Sequence, residues 1–185
     1  LIRAAQDHKL SIMFPMVTEI SEFDKAREIL DSEIERANAN NYKPIKNLRV
    51  GTMLEVPALA YQMPALLKRV DFISVGSNDL FQFLFASDRG SPRISERFDP
   101  LSPAGLNFLQ SIVEQCEASK TPISICGEMA GRPLDAMALI GIGFRMLSVA
   151  PSSIGPVKTM LRSLSVHDLG LYLESLQDVS EHILR

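Results

Sequence analysis

Five short apolar segments, each followed by a stretch of helical periodicity, recur along this chain and leave it few folds. They fall at 11–15, 48–55, 71–76, 123–126 and 144–149. Their residues are β-branched or apolar with little polar alternation, the pattern of strands covered on both faces. Helices are expected at 20–39, about 58–69, just after Asp79, 103–119, 133–140, about 153–164 and 166–184. In the first of these, Phe23, Ala26, Ile29, Leu30 and Ile34 mark one helical face, and Ser21 is the expected N-cap. Ser102 followed by Pro103 is a cap with proline at the first helical position. Residues 1–9 read as the tail of a helix, and 38–46 and 87–100 as polar loops. Strand and helix alternating in this way make a parallel α/β sheet the expected class.

Two parallel architectures compete, a doubly wound sheet and a (β/α)8 barrel. No GxGxxG follows the first strand, which weakens the dinucleotide-binding version of the open sheet. Polar residues gather instead at the carboxyl ends of successive strands: Glu55, Ser77-Asn78-Asp79, Cys126-Gly127-Glu128, Ser148 and Ser152-Ser153. A TIM-type barrel keeps its active site there, and a full one takes eight units and about 250 residues. The expectation is therefore a barrel truncated to its last five strand-helix units. Leu1 stands where a start methionine would be, so the chain reads as a piece of a longer protein.

Composition narrows the function. A net charge of −3 with no basic stripe argues against nucleic acid, and no apolar run nears the roughly 20 residues of a membrane span. Cys116 and Cys126 have neither metal-ligand spacing nor the number for a disulfide framework, which suits a reducing cytoplasm.

Glu55 and Asp79 end neighbouring strands with no histidine beside them, and read either as solvated strand-end carboxylates or as ligands of a hard cation such as Mg²⁺. Asn78 is a turn residue, a helix cap or a ligand contact. The aromatics of 80–85 read as packing. Arg89 opens the long loop and offers a planar fork of donors matched to phosphate or carboxylate, but Arg93 and Arg97 share that loop. Cys126 ends a strand where a buried, inert thiol is the default. With Gly127 beside it and no Cys–His pair in sight, it reads otherwise as a proton donor rather than a nucleophile. Cys116 reads as structural, and His8, His167 and His182 are scattered over helical segments and are not expected to be catalytic.

Four ordered blocks carry a family resemblance. Residues 71–83, from Asp71-Phe72-Ile73 through Ser77-Asn78-Asp79 to Phe83, resemble the signature of phosphoenolpyruvate-utilising enzymes. Cys126-Gly127-Glu128-Met129-Ala130-Gly131 is similar to their catalytic cysteine segment, and 12–16 and 53–58 to two further strands. Within the family the likeness leans to enzyme I of the bacterial phosphotransferase system, and there to the nitrogen-branch form.

The resemblance implies Mg²⁺ on Glu55 and Asp79, phosphoenolpyruvate on Asn78, Asp79 and Arg89, and Cys126 as the acid that protonates the enolpyruvate carbon. It implies that residues 1–185 are the C-terminal portion of a cytoplasmic, dimeric phosphotransferase. Its first barrel strands and its phosphohistidine domain lie elsewhere in the parent, so this piece is not expected to turn over alone. The parent's partners would be phosphoenolpyruvate, pyruvate and an HPr-like phosphocarrier protein. Ser77 departs from the usual threonine and keeps the hydroxyl. Three alternatives stay open: a dikinase or synthase fragment, a Mg²⁺-dependent aldolase or lyase barrel, and a non-catalytic assembly module.

Overall fold

The computed structural model describes residues 1–88, 90, 91 and 99–175. Four strands, β1 (Lys9–Phe14), β2 (Asn47–Leu54), β3 (Phe72–Gly76) and β4 (Ile123–Cys126), form one parallel sheet in the order β1-β2-β3-β4. Sequence order and spatial order coincide, so these four strands contain no switch point of the kind that defines a doubly wound sheet.

Helix α1 (Ile20–Ala39) links β1 to β2, and α2 (Pro57–Ala60) with α3 (Met63–Leu66) links β2 to β3. α4 (Ser77–Leu84) and α5 (Pro103–Ser119) link β3 to β4. α6 (Glu128–Gly131), α7 (Pro133–Gly141), α8 (Pro151–Leu161) and α9 (Val166–Ser175) follow. Val50, Leu54, Ile73, Val75 and Ile125 of the sheet are buried against Leu66, Leu106, Leu109, Ile112 and Phe144 in one core. The α5 residues among these recur at helical spacing, which is why that helix was readable. Ser102 caps it as expected, its Oγ accepting from Gly105 N at 3.2 Å.

The structure corrects several expectations. The fifth strand, 144–149, is reduced to a single parallel bridge between Leu147 and Ile125. Ile125 N donates to Met146 O and Ser148 N to Ile125 O, at 3.0 and 2.8 Å. The pairing stops there because β4 is four residues long and turns away at Gly127. The helix expected over 58–69 is broken in two. Pro64 lacks an N–H and its ring would crowd the carbonyl four residues back, so one helix cannot run through. Gln62 at the break ties it to α1, donating to Thr18 O at 3.1 Å and accepting from Ile20 N at 3.3 Å. The cap of α1 is Glu19 rather than Ser21. Glu22 at N3 accepts from the backbone N–H groups of Thr18 and Glu19, at 2.7 and 3.2 Å, so a charged acceptor takes the place of a serine hydroxyl. Ile29, expected on the apolar face of α1, is 67% exposed. Residues 1–9 hold a 3₁₀ turn (Ile2–Ala5) and, after a turn over Gln6-Asp7-His8, the start of β1, not a helix tail. Most of the loop over 87–100, with Arg89, Arg93 and Arg97, lies outside the described residues, as do His182 and the end of the last expected helix.

Cys116 is fully buried in α5, and burial, reinforced by the charge of Glu117, pushes its thiol up to about 12. The unfolded thiol titrates near 8.5. Its contribution to stability is therefore complete below about pH 8.5 and is lost as pH rises towards 12, at about 1.4 kcal/mol per pH unit. Urea titrations at pH 8 and pH 10 should show this fall, and Cys116→Ala should flatten it by that amount. An unchanged slope in the variant would contradict it.

Candidate active site

The sheet's register brings three residues into one row at its carboxyl edge. Leu54 pairs with Val75, and Val75 with Ile125; one step on, Gly76 pairs with Cys126, while Glu55 continues β2 beside Gly76. Side chains in one row of a parallel sheet point to the same face. Gly76 has none, and the space a side chain would take is filled by the Glu55 side chain and Met53 Sδ. The fit is tight: a Cβ built on Gly76 would lie 3.0 Å from Glu55 Cβ, Glu55 Oε2 and Met53 Sδ.

Glu55 is only 5% exposed. Its Oε1 accepts from Met16 N at 2.7 Å. Met16 has φ +54°, a left-handed conformation uncommon for a side chain of its size, and from it the backbone N–H meets the carboxylate. The β1–α1 loop thus holds one oxygen of Glu55, and the other lies over Gly76.

The end of β3 turns directly into α4, with Gly76 as N-cap and Ser77, Asn78 and Asp79 in the first helical turn. The helix thus begins before Asp79 rather than after it. A carboxylate in the first turn is favoured by the helix dipole. Asn78 Oδ1 accepts from Glu128 N at 3.0 Å, which fixes the orientation of its amide and directs its NH₂ donors elsewhere. Ser77 Oγ donates to Cys126 O at 2.7 Å. Gly127 adopts φ +104°, and a Cβ there would lie 2.3 Å from Ser77 Oγ and 2.8 Å from Asn78 Oδ1.

Cys126 is partly buried, its thiol 3.5 Å from Val75 O. Burial pushes its pKa up, a hydrogen bond from Ser74 draws it partly back, and the charges of Glu55 and Asp79 raise it further. The balance is a thiol that keeps its proton at neutral pH. That is the state of an acid rather than a nucleophile. It also shows that both carboxylates stand close enough for their fields to reach the sulfur.

Among the described residues no cluster of three or more histidine, cysteine, aspartate and glutamate side chains could cage a metal. Glu55 and Asp79 supply only hard oxygen donors. Such a pair fits Mg²⁺, which takes one or two carboxylates and completes its shell with substrate phosphate and water. Arg89 lies outside the described residues. Sequence reasoning missed Met16, whose contribution is a backbone N–H, and Ser74, whose hydroxyl is directed at Cys126 by strand alternation. Of the other polar strand ends, Ser153 comes to the same side, lining a hollow of about 330 Å³ with Gly127, Glu128, Gly131, Arg132 and Ala150.

Residues 1–166 match the family described as PEP-utilising enzyme, PEP-binding domain, and the chain belongs to that family. It is 40% identical over 169 residues to a protein of Salmonella typhimurium named phosphoenolpyruvate-dependent phosphotransferase system, covering 91% of this chain and 23% of that one. It is 37% identical over 171 residues to the phosphoenolpyruvate-protein phosphotransferase of Staphylococcus carnosus, covering 91% of this chain and 30% of the relative. The multiphosphoryl transfer protein of Xanthomonas campestris is 38% identical over 186 residues, which cover 100% of this chain and 21% of the relative. The chain thus spans less than a third of the length of each. Among the described residues, no helix is long and apolar enough to cross a membrane.

Proposed function

We propose that this chain is the C-terminal portion, over residues 1–185, of a phosphoenolpyruvate-binding (β/α)8 barrel in a phosphoenolpyruvate-protein phosphotransferase. The observation that carries the reading is the row Glu55, Gly76, Cys126, which sets a thiol that keeps its proton and a buried carboxylate on either side of a residue without a side chain. Substrate would sit at this carboxyl edge of the sheet. Asn78, its amide oxygen already taken by Glu128 N, turns N–H donors to an anionic oxygen of the substrate. Arg89 clamps the phosphate. Glu55 and Asp79 hold Mg²⁺, which supplies positive charge to offset the developing enolate oxygen.

The P–O bond of phosphoenolpyruvate breaks as the phosphoryl group passes to a histidine in another part of the parent. The enolate left behind takes the Cys126 proton at C3 and leaves as pyruvate, and the thiolate regains a proton from solvent. The phosphoryl group then moves to an HPr-like phosphocarrier, of the nitrogen branch by the leaning of the sequence. The parent is a cytoplasmic homodimer in this reading, and the isolated piece does not turn over.

The test is to supply ³²P-labelled phosphoenolpyruvate to the natural protein that carries this chain. Label should enter protein in step with pyruvate release when Mg²⁺ is present, and both should stop with excess EDTA. Pyruvate release that persists in EDTA, or none with Mg²⁺, would sink the reading.

A further inference from the structure

Ser77 stands where a serine ordinarily serves the helix it begins, yet its side chain does no such work. α4 takes Gly76 as its N-cap, with no side-chain capping bond at all. Ser77 is 2% exposed, and its hydroxyl instead crosses to the neighbouring strand and donates to Cys126 O at 2.7 Å. The sheet explains why a donor is needed there. β3 and β4 pair as far as Gly76 and Cys126, and beyond that rung β3 has become α4 and no longer runs as a strand partner. The hydroxyl supplies the bond at the point where the ladder stops.

The Cys126–Glu128 segment is then pinned twice by adjacent residues of one helical turn. Ser77 holds the Cys126 carbonyl and Asn78 holds the Glu128 N–H, at 2.7 and 3.0 Å. Between them Gly127 passes so close that no side chain fits, its Cβ position lying 2.3 Å from Ser77 Oγ. The Cys126 side chain springs from a backbone fixed on both sides, with its sulfur 3.5 Å from Val75 O.

We propose that Ser77 is a positioning residue for Cys126, its hydroxyl setting the height of the thiol above Gly76. The inference rests on the reading of Cys126 as the proton donor to enolpyruvate. In the natural protein, Ser77→Ala should lower kcat for pyruvate release about tenfold, because misplacing a reacting group by a fraction of an ångström has effects of that order. KM for phosphoenolpyruvate should change by less than about twofold, since no substrate contact is removed. Ser77→Thr, which keeps the hydroxyl, should restore both.

A second readout needs no turnover. Alkylation of Cys126 by iodoacetamide, followed on its own peptide by mass spectrometry, should be several-fold faster in Ser77→Ala and stay at the wild-type value in Ser77→Thr, with buried Cys116 as the internal reference. Wild-type kcat in Ser77→Ala, a threonine protein as slow as the alanine one, or equal alkylation rates in all three would overturn the proposal. If Cys126→Ala releases pyruvate at the wild-type rate, it is the proton-donor reading that falls, and the alkylation comparison still judges Ser77.

Discussion

Cys126→Ala in the natural protein should lower pyruvate release by about 10²- to 10⁴-fold, the range over which a positioned general acid contributes. Removing the sulfur gives up its 3.5 Å contact with Val75 O, but Glu55 is held by Met16 N and Asn78 by Glu128 N, neither through the thiol. Binding of Mg²⁺ and of phosphoenolpyruvate, followed by calorimetry, should therefore stay close to wild type. The loss should sit in kcat, the signature of an interaction made only in the transition state.

The wild-type pH profile should carry the same message. A thiol that acts by donating must be protonated, so turnover is full below its pKa and falls as pH rises through it. Burial moves that limb upward from the ordinary thiol range, while Ser74 moves it partly back. The alkaline limb should be missing from the residual activity of Cys126→Ala. Wild-type turnover in the variant, or a limb that survives the substitution, would show that the proton comes from another source.

How much of this could be read from the residues alone depended on whether a local pattern or a distant contact decides the outcome. The strands β2, β3 and β4 were legible because a run such as Phe72-Ile73-Ser74-Val75-Gly76 can be buried on both faces in only one way. Once the strands were placed, strand ends placed Glu55, Asn78, Asp79 and Cys126, and the register brings them to one edge. The segment 144–149 looks as strand-like as the others, but among the described residues only Ile125 offers it a strand partner. Pairing is a property of two segments, and neither announces it by itself. The break at Tyr61 was readable in principle from Pro64. Met16 was not, because its role is a backbone N–H delivered by φ +54°, and no side-chain pattern signals that. Ser77 was noticed only as a variant of threonine. Its bond to the Cys126 carbonyl joins residues 49 apart in sequence.

Gly127→Ala should be the most damaging single-methyl change in the site. Gly127 holds φ +104° with ψ 179°, a region essentially reserved for glycine, and forcing alanine into it costs about 1–3 kcal/mol. The new Cβ would also lie 2.3 Å from Ser77 Oγ and 2.8 Å from Asn78 Oδ1, a distance that nonbonded atoms do not tolerate. One side must yield. If the Ser77 hydroxyl swings away, its bond to Cys126 O is lost at about a further 1 kcal/mol, and if the 126–128 backbone moves, the thiol moves with it. Both routes loosen the same clamp. A stability loss of about 2–4 kcal/mol in urea titration is expected, together with a fall in pyruvate release of about 10²-fold or more. Gly155→Ala provides the control within the same protein. It lies inside α8, and among the described residues nothing is within 4 Å of its Cβ position. There the methyl should leave turnover unchanged and raise helix stability by up to about 1 kcal/mol. Equal stability and turnover in the two alanine variants would mean that the Gly127 turn is not what holds the thiol in place.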